Sequence, residues 1–289
     1  LVRLCSHRAK RGPSNARRSR TTRTFAICHL PFAFCLAFGC AAAALPAFSQ
    51  TYLLVDQDEI EAARRRAEKH AWARAALDRV LASAERALKE PVRIPERGGQ
   101  WSHWYSCRRD GALLTTVSPS EHRCPACGTV YRGDPYDAVI VGRVHHDYSR
   151  AARDLGLAYR LTGRDEFARR AGEILLGYAA RYRSYPRHDI NGENNIRGGR
   201  VLAQTLDEST WLIPLAWGYS LIRDTVAEAE RQRIEKDLLV AAADVIREHR
   251  MGIHNIQCWK NTAVGLAGFA AGNRELVRDA VGDVFGPAL

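Results

Sequence analysis

The sequence predicts an all-α protein, a series of helical hairpins interrupted by one small cysteine-rich insertion. Three observations carry this. Beyond residue 140, apolar residues recur at three- and four-residue spacing nearly to the end of the chain, punctuated by Gly163 and by short polar turns. No stretch shows the strict alternation of a half-buried strand. Between residues 96 and 140 the periodicity is lost, and glycine, proline, serine, aromatic residues and cysteine take over.

The elements follow in order. Residues 1–49 hold eight basic side chains (Arg3, Arg8, Lys10, Arg11, Arg17, Arg18, Arg20, Arg23) and no acidic one, then an apolar run from Phe25 to Phe48 that closes on Ala47-Phe48-Ser49. This pattern predicts a signal peptide cleaved before Gln50, and a soluble mature protein that is periplasmic or secreted, without a membrane anchor. The leader also explains the charge. Of 43 basic and 32 acidic residues, net +11, the leader supplies eight of the excess, so the rest is nearly balanced and a basic nucleic-acid-binding face is excluded.

Residues 50–95 predict one long helix, capped by Asp56 or Asp58 and ended by Pro91 and Pro95. Residues 96–140 form the cysteine-rich module. Residues 141–289 form hairpins: the first turns at Gly163, the second pairs 203–223 with 227–249, and the third pairs 255–271 with 273–282. A polar, glycine-rich loop, residues 184–200, separates the first two. Loops of that length in compact domains are usually functional or disordered.

Within the module, Cys124-Pro-Ala-Cys127-Gly128 is a knuckle that can present two thiolates to one zinc ion, and Cys107 is a natural third ligand. The fourth is Asp110, His122 or His103, with His122 carried as the working choice. A structural zinc is expected, with a disulfide as the competing reading, and no organic cofactor. Three polar segments could carry chemistry: the loop with Asn194, Asn195, Arg197 and Arg200; one helix face with Gln204, Asp207, Glu208 and Trp211 at i, i+3, i+4 and i+7; and a helix start with His254 and Asn255, followed by Gln257, Trp259 and Asn261. A solvated stripe and a plain helix cap compete with these readings. Asp207 and Glu208, adjacent on one helix, do not supply the carboxylate pair of a glycoside hydrolase.

The runs CPACGTVYRGDPYD, ARDLGLAYRLTG, GGRVLAQTLDESTWLIPLAWGYSLI and HNIQCWKNTAVGLAGF, in this order, resemble the N-terminal helical region of heparinase II/III-type and alginate-lyase-type polysaccharide lyases. The resemblance covers roughly residues 55–289 and is most specific in its last two runs. It implies an incomplete (α/α) toroid, followed in the family by a β-sandwich domain that this chain lacks, and β-elimination on an acidic, uronic-acid-containing polysaccharide. Matching Trp259 to a family tryptophan places Asn255 on the asparagine that neutralises the substrate carboxylate. Ile256 stands where the family has a histidine, with His254 on the other side. The family's acid/base tyrosine would fall beyond Leu289. The resemblance thus implies Asn255 and His254 as catalytic, and Gln204, Glu208, Trp211, Arg200, Gln257, Trp259 and Asn261 as substrate-binding. A non-catalytic helical scaffold or carbohydrate-binding module is the alternative.

Overall fold

The computed structural model describes residues 52–285, with side chains through residue 282. The expected signal peptide therefore lies outside the described residues. Helix α1 (Gln57–Lys69) opens with a reciprocal cap, in which Glu59 N–H donates to Asp56 Oδ1 at 2.8 Å and Asp56 N–H donates to Glu59 Oε2 at 3.0 Å. The expected single long helix is in fact two. His70 adopts an extended conformation (φ −129°, ψ 125°) and α2 (Ala71–Lys89) starts anew. No glycine or proline marks this break; it is a tertiary effect. A straight helix over both segments would reach about 50 Å. The break lets Ile60 join Tyr52 and Leu221 while Ala84 enters the main core.

The module contains a three-stranded antiparallel sheet that the sequence did not reveal: β1 (Thr115–Ser118), β2 (Glu121–Arg123) and β3 (Val130–Tyr131), in that spatial order. The strands are two to four residues long and mostly polar, too short to show a period. Beneath the sheet lies a separate small core of Tyr105, Cys107, Leu114, Cys124, Tyr136 and Val139.

Helix α3 (Tyr136–Thr162) begins earlier than expected, inside the predicted module, and pairs with α4 (Asp165–Arg181). The second hairpin joins α5 (Thr205–Ile222) to a return limb of α6 (Glu228–Arg233), one widened π-type stretch (Ile234–Val240) and α7 (Ala241–Arg247). The third pairs α8 (Asn255–Ala270) with α9 (Arg274–Phe285). The protein is thus mainly helical. From Trp211 on, helix α5 is apolar on nearly all sides; α3 and α8 both pack against it, which buries Trp211, Leu212, Leu215 and Tyr219 completely. The N-termini of α5 and α8 open toward the 184–204 loop, and there the candidate site lies.

Candidate active site

The loop before α5 has little regular structure, so its backbone needs other partners. Two buried carboxylates supply them. Glu208, fully buried, accepts from Leu202 N–H (2.8 Å), Val201 N–H (3.1 Å), Arg200 N–H (3.2 Å) and the Tyr182 hydroxyl (2.8 Å). Burial pushes its carboxyl up from the ordinary range, and these four donors oppose the rise. Gly199 is required here, since a Cβ at that position would stand 2.5 Å from Glu208 Oε2. Asp189 Oδ1 accepts from Asn191 N–H (2.8 Å) and Glu193 N–H (3.0 Å), and its Oδ2 accepts from the Asn195 amide. Burial alone would raise Asp189, but these donors outweigh it and hold the group below its ordinary value. Two arginines finish the loop. Arg187 donates to the carbonyls of Gly198, Ile196 and Val245, and Arg200 to those of Tyr185 and Arg183.

This scaffold shapes a cleft of about 220 Å³ between the loop and the starts of α5 and α8. Arg197, Gln204, Thr205, His249, Met251 and Ile256 are among its lining residues. His249 Nδ1 lies 3.0 Å from Thr205 Oγ1. Burial, then the charges of Lys260, Arg197 and Arg187, lower the His249 pKa, so its imidazole is neutral at pH 7. Arg197 is exposed, and among the described residues its guanidinium takes part in no hydrogen bond or ion pair. The module reaches the same region. Trp104 Nε1–H donates to Ile190 O at 2.8 Å and Gln100 Nε2 to Asp189 O at 3.3 Å. Asp207, in the first turn of α5, is raised to about 6 by burial, with His103 opposing.

Of the residues expected at the site, Gln204 and Arg197 line the cleft. His254 and Asn255 are exposed immediately before Ile256, which lines it. The cap of α8 is His254 and not Asn255: His254 Nδ1 accepts from Ile256 N–H at 3.1 Å. Glu208 and Trp211 need correction as substrate-binding residues. Glu208 has its oxygens turned to the loop backbone, and Trp211 is buried against Tyr178 and Tyr182. Arg200 likewise serves the loop. Gln257 is buried, accepting from Met251 N–H at 2.9 Å and donating to Asn261 Oδ1 at 2.7 Å, so this pair shapes the turn behind the cleft. Trp259 is half-exposed on α8 and does not line the cleft.

A second cluster lies in the module. Ligand atoms of Cys107, Asp110, Cys124 and Cys127 fall within 4.8 Å of one another. The expectation of His122 as a fourth ligand is overturned. Its Nδ1 is 2.8 Å from the Tyr105 hydroxyl and its Nε2 is 2.8 Å from Asp137 Oδ1, so both ring nitrogens are engaged. Asp110, another of the candidates, stands with the three cysteines, its carboxyl held down to about 2 by the Ala112 N–H and then by the Cys127 and Cys107 thiols. The four cysteines among the described residues, Cys258 included, are not joined by disulfides in this structure.

Comparison with known proteins gives this geometry a family. The model for the family described as alginate lyase matches residues 122–286, more than half of the chain. The chain belongs to the alginate lyase family. It is 34% identical over 143 residues to an exo-oligoalginate lyase of Saccharophagus degradans strain 2-40, and 33% identical over 142 residues to an alginate lyase of Stenotrophomonas maltophilia strain K279a. Each alignment covers 47% of this chain and 19% of the relative, so the chain spans about a fifth of the length of the curated relatives it matches. Among solved structures, alginate lyase A1-III of Sphingomonas species A1 superposes with TM-score 0.46 at 15% identity, covering 78% of this chain and 56% of that one. An alginate lyase of Bacteroides ovatus gives 0.49 at 13%, covering 81% and 64%.

The alginate lyase match takes in every cleft-lining residue on α5 and α8, together with Arg197 and His249, whereas Trp104, Cys107 and Asp110 precede it. Sequence reasoning missed His249, which lies just past the end of α7 and stands in no motif. The one available signal was its place five residues before His254, in the short turn between two helices.

Proposed function

We propose that this protein is a polysaccharide lyase acting on a uronic-acid polymer, with alginate, named for its relatives, as the first candidate, and that its helical hairpins form part of an (α/α) toroid. One observation carries the reading: the family match encloses a cleft in which a cation, a neutral imidazole and the start of α8 converge. In β-elimination a proton leaves the carbon next to the carboxylate, and the glycosidic C–O bond breaks. The departing oxygen takes up a proton, so the products are an unsaturated uronate and a new hydroxyl end. The adjacent carboxylate opposes this step by its own charge, so the site must first neutralise it. Arg197 supplies positive charge. The first turn of α8 adds the positive end of the helix dipole, with the Asn255 amide beside it. His249, uncharged and oriented through Thr205, is a proton acceptor at the same cleft. Export through the leader, residues 1–49, belongs to the same reading.

The test is absorbance of the unsaturated product from alginate and from other uronate polymers. Asn255→Ala is expected to lower kcat by about 10²–10³-fold with the melting temperature unchanged. Arg197→Ala is expected to raise KM. Binding of alginate by the wild-type protein without unsaturated product would favour the carbohydrate-binding alternative and reject the lyase.

A further inference from the structure

The cysteine module contains two copies of one turn. In the first, Cys107 N–H donates to Ala112 O (2.8 Å) and Gly111 N–H donates back to Cys107 O (2.9 Å). In the second, Cys124 N–H donates to Thr129 O (2.9 Å) and Gly128 N–H donates back to Cys124 O (3.0 Å). The offsets are identical, i to i+5 and i+4 to i. Gly111 and Gly128 hold the same left-handed conformation, φ 74° and 73°. Cys107-Arg-Arg-Asp110-Gly111 therefore superimposes in pattern on Cys124-Pro-Ala-Cys127-Gly128, and Asp110 falls where the second knuckle has Cys127.

We propose that these twin knuckles bind one zinc ion through Cys107, Asp110, Cys124 and Cys127. The spacing fits. Around a tetrahedral zinc with bonds of about 2.3 Å to sulfur and about 2.0 Å to oxygen, two sulfurs stand about 3.8 Å apart and a sulfur and an oxygen about 3.5 Å. Cys107 Sγ and Cys127 Sγ are 3.7 Å apart, and Cys124 Sγ lies 3.4 and 3.5 Å from the Asp110 oxygens. The surroundings suit thiolates: Arg109 N–H points to Cys107 Sγ and Cys127 N–H to Cys124 Sγ, each at 3.4 Å. A mostly thiolate set selects a soft-tolerant, tetrahedral ion over magnesium or calcium. Four protein ligands close the coordination shell, which makes the ion structural. It clasps the segment that begins at Trp101 and carries Trp104 to the cleft loop, so the proposal stands independently of the reaction assigned to that cleft.

The experiment is metal analysis of the whole chain purified under reducing conditions from zinc-supplemented medium, followed by replacement of the ion with cobalt(II). About one zinc per chain is expected. The sulfur-to-cobalt charge-transfer band should have the intensity of three thiolates in the wild type and gain about a third in Asp110→Cys, which completes the second C-x-x-C. His122→Ala should keep the metal. A wild-type protein that holds no zinc and leaves all three thiols open to alkylation in its native state would overturn the proposal. So would an Asp110→Cys protein whose band does not change, since Asp110 would then not be a ligand. Because the stoichiometry is read on the wild type, a Cys124→Ser variant that fails to fold does not blur the answer.

Discussion

The loop of residues 184–204 lines the cleft and the cysteine module of residues 96–135 packs against that loop; both lack long regular elements, and both rely on side-chain acceptors to collect backbone N–H groups. They differ in the acceptor. In the loop, Glu208 and Asp189 are carboxylates, strong acceptors that satisfy seven donors within the polypeptide. In the module the N–H groups of Arg109 and Cys127 point at sulfur, a weak acceptor. The loop is therefore complete as a protein, whereas under the zinc proposal the module draws part of its stability from a ligand. An irregular segment can be fixed from inside or from outside, and only the first kind survives a chelator.

Breaking Glu208 should have the largest effect. Glu208→Ala strands four buried donors, each worth about 1–3 kcal/mol when left unpaired, for a loss upward of about 4 kcal/mol in chemical denaturation. Glu208→Gln retains one acceptor oxygen and should lose roughly half as much. Hydrogen exchange at the amides of residues 200–202 should accelerate in both, while metal content stays unchanged. Unaltered exchange there would show that the loop is held by its arginines.

Acid should sharpen the comparison next. His145 is fully buried between the Tyr178 hydroxyl (2.9 Å) and the Arg97 carbonyl (3.0 Å), at the approach to the module. Burial lowers its pKa from 6.5 to about 4. The unfolded chain then takes up the proton first, so the contribution is intact above pH 6.5 and is lost as pH falls toward 4. The gap corresponds to about 3 kcal/mol. Relative to His145→Gln, the wild type should lose about that much stability between pH 7 and 4. Measuring the difference between the two proteins cancels the titration of the thiols and carboxylates. A constant difference would mean that the imidazole titrates alike in the folded and unfolded chain.

The smallest effect belongs to Asp189. Asp189→Asn keeps an oxygen for the Asn191 and Glu193 amides and loses mainly the charge, so about 1 kcal/mol is expected by denaturation. A loss as large as that of Glu208→Ala would make Asp189 the main anchor of the loop.

The hairpins were legible because α3, α4, α8 and α9 carry long periodic patterns with clear turns. The break at His70 was not, because it serves two cores that no local pattern announces. Three members of the cysteine cluster were readable from a motif. Asp110 was not preferred because its equivalence to Cys127 is a matter of backbone hydrogen bonds. Glu208 shows the reverse failure. A carboxylate on an apolar helix reads as a site residue, and the same pattern describes an internal anchor; only the direction of its oxygens distinguishes the two. His249 stands in no motif, its only cue being the short turn it shares with His254, and it enters the cleft through that turn, which joins two hairpins.

The use of loop arginines to hold backbone carbonyls has a consequence for how a polyanion would arrive. Arg187 and Arg200 are spent inside the fold, on the carbonyls of Gly198, Val245 and Tyr185 and, for Arg187, on the Glu248 carboxylate, and residues 50–289 are nearly balanced in charge. Such a surface casts little long-range field, so a charged polymer is not drawn in from a distance. Its capture depends on encounter, shape and the few groups it meets at the mouth of the cleft. Dissolved salt, which weakens proteins that gather polyanions with broad positive faces, would find little here to screen.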